Sequence, residues 1–200
     1  MYVCMFVCGL MTNVNDLLNL VFYNFSYLMH PPWDTEIPAP ELNQFIQQHP
    51  HGIALDLGCG TGTNMQALLE AGWKVDGVEF AIIAVRKARK KLAKFSKSGT
   101  VYLANILDLD FITKQYDLIL DIGCYHSLLS DSRKMYRNNL IRLLNDEGTY
   151  LMYAFIKVDE PSIGIDENDM DEFAELLAQK SRKYGIERGT RASVWLEYQK

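Results

Sequence analysis

The stretch Ala54-Leu55-Asp56-Leu57-Gly58-Cys59-Gly60-Thr61-Gly62-Thr63-Asn64 constrains this chain more than any other. The apolar run 52–57 reads as a buried strand, and 64–71 reads as an amphipathic helix. Strand, glycine turn and helix start in succession place a ligand site at the carboxyl end of a parallel strand. Glycine there admits positive φ and lets a ligand lie against the main chain, while the helix start offers unpaired N–H groups. An ordinary glycine-rich turn remains the alternative, so the spacing matters. A dinucleotide loop has Gly-x-Gly-x-x-Gly, whereas here the order is Asp-x-Gly-x-Gly-x-Gly, with Thr63 where that last glycine would fall. No Gly-Lys-Ser/Thr follows, which argues against a triphosphate loop.

The stretch resembles the first motif of class I S-adenosylmethionine-dependent methyltransferases. The resemblance implies that Gly58, Cys59, Gly60 and Gly62 wrap the methionine end of S-adenosyl-L-methionine and that Asp56 fixes its ammonium group. Further along, 73–80 reads as a second strand ending in Glu79 and Phe80, with Glu79 placed 17 residues beyond Gly62. An acid at that strand end can accept both ribose hydroxyls of an adenosine, the alternative being a surface carboxylate. The resemblance implies that Phe80 joins it on the cofactor. A third strand, 100–104, ends at Asn105 and Ile106. The family usually has aspartate at Asn105, on the adenine amino group. Asparagine keeps a carbonyl acceptor and loses the charge, and the Ile106 N–H faces the adenine ring in that reading.

The fourth strand, 116–122, leads into Asp121-Ile122-Gly123-Cys124-Tyr125-His126-Ser127-Leu128. This run resembles the fourth motif of the small-molecule branch near the thiopurine and tellurite-resistance methyltransferases, and implies that Asp121, Tyr125 and His126 lie beside the transferable methyl. Upstream, four prolines in His30 to Pro40 rule out regular structure. By its residues alone this segment is either a rigid linker or a binding loop. Pro32-Trp33-Asp34 resembles the segment before the first helix in the thiopurine, thiol and halide branch, so Trp33 is expected on the cofactor and Asp34 on the acceptor side. His126 can accept a proton near neutral pH, which makes it the candidate base, with helix capping or packing as its alternative role.

Two hundred residues suit one domain, and a chain 48% apolar and 22% charged has the composition of an ordinary globular protein. A net charge of −5 gives no footprint for nucleic acid. The basic face of a helix over 81–95, with Arg86, Lys87, Arg89, Lys90, Lys91 and Lys94, reads as a solvated face. Cysteines at 4, 8, 59 and 124 form no Cys-x-x-Cys pair, so no metal site is expected and the setting is read as reducing and cytoplasmic. The apolar stretch 1–11 lacks signal-peptide flanks and is too short to span a bilayer. Met11 reads as a more normal amino terminus, with 1–10 an over-extended start or a loose arm. Leu17, Leu18, Val21, Phe22, Phe25 and Leu28 recur at helical spacing and predict an amphipathic helix.

The remaining segments predict helices over 41–49 and 132–144, the latter stopped by Gly148. A fifth strand, 150–156, follows. Asp166, Glu167, Asp169, Asp171 and Glu172 read as acids entering a helix whose buried stripe is Phe173, Leu176 and Leu177, because a calcium loop would need a mid-loop glycine. Strands 184–188 and 193–198 form a closing hairpin around Gly189-Thr190-Arg191. The expected fold is α/β: a Rossmann-like seven-stranded methyltransferase sheet, mostly parallel and closed by an antiparallel hairpin, with helices on both faces. The domain is expected over 30–200, after an arm and amphipathic helix over 1–29. The expected function is methyl transfer from S-adenosyl-L-methionine to a small-molecule acceptor, a thiol or other soft nucleophile, by a monomer that engages neither nucleic acid nor membrane. The alternatives are a cofactor-binding regulator without catalysis and an NAD-linked oxidoreductase, the latter disfavoured by the glycine spacing and the terminal hairpin.

Overall fold

A computed structural model describes residues 14–158, 163–187 and 189–200. The expectations for 1–13, including Cys4 and Cys8, and for the strand end at Arg188 lie outside the described residues. The central sheet has the order β3-β2-β1-β4-β5-β7-β6. Its parallel strands are β1 (Ile53–Leu57), β2 (Lys74–Glu79), β3 (Gly99–Leu103), β4 (Tyr116–Ile122) and β5 (Leu144–Phe155). Strands β6 (Ala178–Glu187) and β7 (Arg191–Gln199) close it as an antiparallel hairpin. The chain therefore reverses strand order between β1 and β4, the switch point at which open α/β sheets bind ligands.

Helices cover both faces. On one side lie α2 (Pro40–Gln48), α3 (Thr63–Glu70) and α4 (Ile82–Lys91), which bury Leu42 and Phe45, Met65 and Leu68, and Val85 and Ala88. On the other lie α5 (Ser130–Leu143) and α6 (Glu167–Ala174), whose Tyr136, Leu140, Met170 and Phe173 meet Tyr150 and Tyr198 of the sheet. Each fully buried leucine contributes about 1.5–3 kcal/mol, so these two clusters hold the domain together. The acids at 166–169 form a capping box, Asp166 and Asp169 each bonding the other's main-chain N–H, as acids at a helix's positive end should.

Three expectations need correction. Helix α5 runs directly into β5 at Leu144, so Gly148 lies inside the strand and does not stop the helix. The backbone turns extended at Leu144, and the last carbonyls are met by distant side chains, Lys200 Nζ donating to Ile141 and Leu144 and Gln115 Nε2 to Arg142 and Leu144. Helix α6 ends at Ala174, before the predicted stripe is complete; Leu177 is buried but Leu176 is 49% exposed. The third concerns α1 (Val14–Leu28). The predicted stripe Leu17, Leu18, Val21, Phe22, Phe25 and Leu28 faces outward, each residue 46–63% exposed. The helix instead docks through Leu20, Tyr23, Asn24 and Tyr27, a second set at helical spacing, forming a small satellite cluster with Ala81, Ala84 and Ile83.

Candidate active site

The glycine loop after β1 takes its shape from the main chain. Gly58, Gly60 and Gly62 have φ of 71°, 53° and 81°, where a side chain would be strained. Each also lacks room for one. A Cβ on Gly58 would fall 1.9 Å from Cys124 Sγ, on Gly60 2.9 Å from the Tyr27 hydroxyl, and on Gly62 3.2 Å from Leu92. The Gly58 and Cys59 N–H groups both donate to the Val78 carbonyl, tying the loop to β2.

At the end of β2, Glu79 Oε2 accepts from Gly60 N–H at 3.1 Å and Oε1 from Ala81 N–H at 2.7 Å. At the end of β4, Asp121 accepts from Cys124 N–H at 2.8 Å, Tyr125 N–H at 3.0 Å and the Tyr136 hydroxyl at 2.5 Å. Asp56 is different: it is 2% exposed, and its Oδ2 has no hydrogen-bond partner in the structure. Burial is the main cause that raises all three acids, Asp56 to about 8, Glu79 to about 7 and Asp121 to about 6; the other two carboxylates push Asp56 further, while N–H donors hold Glu79 down and the Tyr136 hydroxyl, then N–H donors, hold Asp121 down. A buried carboxylate oxygen without a donor is costly, and a cationic or N–H-bearing ligand group relieves it.

The structure gathers Asp56, Gly58, Cys59, Gly60, Gly62, Glu79 and Asp121 at neighbouring strand ends. Phe80 is half-buried beside Tyr23, ring centroids 5.3 Å apart. Asn105 and Ile106 follow the end of β3, but Asn105 Oδ1 already accepts from Leu107 N–H at 3.0 Å, so its acceptor is shared with its own turn. Trp33 is 48% exposed and packs edge-on against Tyr23 and Tyr27. Asp34 accepts from the Thr61 hydroxyl at 2.5 Å, and Ala39 N–H donates to Asn64, so the proline-rich loop is fastened to the glycine loop and α3 at two points.

The acceptor-side expectations fare differently. The Tyr125 ring is fully buried in the core beneath β4, its hydroxyl bonded to Arg137 at 2.6 Å and Asp169 at 3.3 Å. It does not join the Trp33 side of the site, because the turn after β4 points it into the α5–α6 layer. His126 is buried too; its Nδ1 accepts from Phe155 N–H at 3.1 Å, which leaves the proton of the neutral ring on Nε2. Burial, then Arg191 and Arg133, lower it to about 4, so near neutrality this ring is a weak base already in use as an acceptor.

Residues of α1 escaped the sequence reading. Tyr27 is buried with its hydroxyl against Gly60, and burial followed by the Glu79 charge holds its phenol protonated. Tyr23 sits among Phe80, Trp33, Cys124 and Ser127. The signal was present as the i, i+3, i+4, i+7 pattern of Leu20, Tyr23, Asn24 and Tyr27, but a more apolar stripe on the same helix outweighed it.

A family model described as a methyltransferase domain matches residues 54–148, from β1 to the start of β5. Over 66% of this chain it is 27% identical to a 2-heptyl-1-hydroxyquinolin-4(1H)-one methyltransferase of Mycobacteroides abscessus, with 59% of that protein covered. It is 29% identical to a probable thiol methyltransferase 2 of Arabidopsis thaliana over 66% of this chain and 60% of that one. The chain thus spans about three-fifths of the length of these two relatives. Among solved structures, a 1,6-didemethyltoxoflavin-N1-methyltransferase of Burkholderia thailandensis superposes with a TM-score of 0.73 at 18% identity, covering 95% of this chain and 91% of that one. TehB from Haemophilus influenzae superposes with a TM-score of 0.72 at 19% identity, covering 88% and 67%. Residues 54–148 thus match a methyltransferase-domain family, and the chain has the fold of these methyltransferase structures.

Proposed function

We propose that this protein transfers the methyl group of S-adenosyl-L-methionine to a small soft nucleophile, a thiol above all. The observation that carries the reading is Asp56, a buried carboxylate with an unpartnered oxygen beside a loop of left-handed glycines. In this reading Asp56 takes the cofactor's ammonium group, the main chain at Gly58 to Gly60 lies along its methionine portion, and Glu79 receives the ribose hydroxyls. Phe80, Asn105 and Ile106 surround the adenine. The cofactor supplies an electrophilic sulfonium methyl, and displacement at such a centre needs positioning more than proton transfer.

The acceptor class follows from what the side chains can do. Asp34 is engaged by Thr61, Tyr125 is turned into the core, and His126 is an engaged weak base. With its expected base spent, the site suits a nucleophile that ionises or reacts unaided, as a thiolate does. The name of the Arabidopsis relative supports the same class. Small substrates also fit the basic helix α4, three of whose five cations are turned to internal use: Lys87 bonds the Tyr27 carbonyl, Arg89 the Val101 carbonyl, and Lys91 the hydroxyls of Thr61 and Thr63. Among the described residues no helix is long and apolar enough to cross a membrane.

Calorimetry with S-adenosylmethionine, S-adenosylhomocysteine and NAD, followed by turnover on thiols, halides, metalloid oxyanions and hydroxyquinolones, tests the proposal. Binding of the two adenosyl ligands but not NAD, with turnover on a thiol, is expected. Preference for NAD would refute the cofactor assignment. Tight adenosyl binding with no turnover on any acceptor would instead mark a cofactor-binding regulator.

A further inference from the structure

The groups that the proposed cofactor needs are covered by the chain itself. Asp56 and Glu79 are 2% and 4% exposed. The Tyr27 hydroxyl lies 2.9 Å from where a Cβ on Gly60 would stand, and its ring packs on Ala81 and Ala84 just beyond Glu79. Tyr23 covers Phe80 and reaches toward Ser127 at the β4 side. Both tyrosines come from α1, so one helix lies across the carboxyl ends of three strands.

The attachment of α1 is slight. Tyr23 and Tyr27 belong to a satellite cluster separate from the two cores, and six large apolar residues on its outward face stay exposed. Among the described residues, two ties to main-chain groups supplement the cluster and the Tyr23–Ser127 side-chain bond: Lys87 Nζ donates to the Tyr27 carbonyl at 2.7 Å, and Asn24 Oδ1 accepts from Ile83 N–H at 3.0 Å. At the helix's carboxyl end His30 has a φ of 54° and precedes Pro31, a left-handed conformation unusual for a non-glycine residue. Beyond it, Asp34 is fixed to Thr61. A rigid anchor, a sharp bend and a weakly held helix follow one another in sequence.

Resting on the cofactor reading above, we propose that α1 is a hinged cover turning about His30–Pro31, and that Tyr27 must leave Gly60 before the cofactor can enter. Tyr27 is then an obstruction, and its removal speeds binding. Loosening either polar tie does the same without altering the cradle.

The test is stopped-flow tryptophan fluorescence with S-adenosylhomocysteine, since Trp33 lies edge-on to both tyrosines. For the full chain the observed rate should level off as ligand concentration rises, the plateau being the opening rate. Tyr27→Phe, which keeps the ring and removes the hydroxyl on Gly60, and Lys87→Met, which removes one tie, should each raise apparent affinity, by roughly ten-fold where the open fraction rises ten-fold, and lift the plateau. A rate that stays linear in ligand, with weaker binding by Tyr27→Phe, would overturn the proposal and make Tyr27 a ligand contact. A plateau untouched by both substitutions would overturn it as well. If neither the full chain nor the variants give a calorimetric heat with this ligand, the cofactor reading itself fails and the cover with it.

Discussion

The carboxyl ends of β1 and β2 and the carboxyl end of β4 adjoin, yet they are built by different means. At β1 and β2 the shape comes from the main chain: three left-handed glycines, a shared carbonyl at Val78, and a glutamate bonded to two N–H groups. At β4 it comes from side chains sent elsewhere, with Tyr125 in the core and His126 on the Phe155 N–H. A surface made of backbone has few solutions, and glycine spacing reports them. A surface made of side chains depends on which way each one turns, and that is decided by layers far away in sequence.

Breaking the backbone-built half should have the largest effect. Gly60→Val places a branched side chain at a left-handed position already touched by Tyr27. Binding of S-adenosylhomocysteine should fall below calorimetric detection while the far-ultraviolet spectrum stays nearly unchanged. Wild-type affinity in the folded variant would show that the loop does not carry the ligand. Glu79→Ala comes next. If Glu79 accepts the ribose hydroxyls as proposed, its loss should weaken binding by about 1.5–3 kcal/mol, and the variant should no longer favour ligands bearing the 2′-hydroxyl. Undiminished discrimination would make Glu79 a support for the loop alone.

The same acids make a prediction for pH. Asp56, Glu79 and Asp121 stand at about 8, 7 and 6, above ordinary values of 3.8, 4.5 and 3.8. The folded state therefore holds more protons than the unfolded state between those limits, and stability must fall as pH rises. Without ligand, the melting temperature should drop between about pH 4 and pH 8 on this account. Asp56→Asn, which removes the charge with no donor to balance it, should flatten the upper part of that drop. A variant that melts with the wild-type slope would place the pH dependence elsewhere.

How much of this was legible follows the same division. The strands, the closing hairpin and the glycine loop are readable, because strand periodicity and glycine spacing are local signals, whereas the order of strands in the sheet is not. The face of α1 was read backwards. Its outward stripe is the more apolar one, and only the tertiary partners Ala81, Ala84 and Gly60 select Tyr23 and Tyr27. Gly148 is no helix stop: the last-turn carbonyls are met by Lys200, 52 residues further on in sequence though paired with Gly148 in space, and by Gln115. No local pattern carries such a contact.

The smallest effect, and the one that sharpens the comparison most, is at His126. If it were a general base, its loss would be severe near neutrality and would shrink as a thiol acceptor ionised unaided. The structure gives it other work. Nδ1 accepts from Phe155 N–H, the ring lies 4.6 Å from the Phe155 ring, and Arg191 and Arg133 add to burial in holding it neutral. His126→Ala should thus leave one buried N–H without an acceptor, at a cost of about 1–3 kcal/mol in stability. Activity toward a thiol should drop by a modest factor that does not vary with pH, and any other acceptor should show the same factor. His126→Asn, whose side-chain oxygen can still accept from Phe155, should recover most of the stability and most of the rate. A loss confined to thiols, largest at neutral pH and absent where the thiolate predominates, would return His126 to the chemistry and make the β4 end a catalytic surface in its own right.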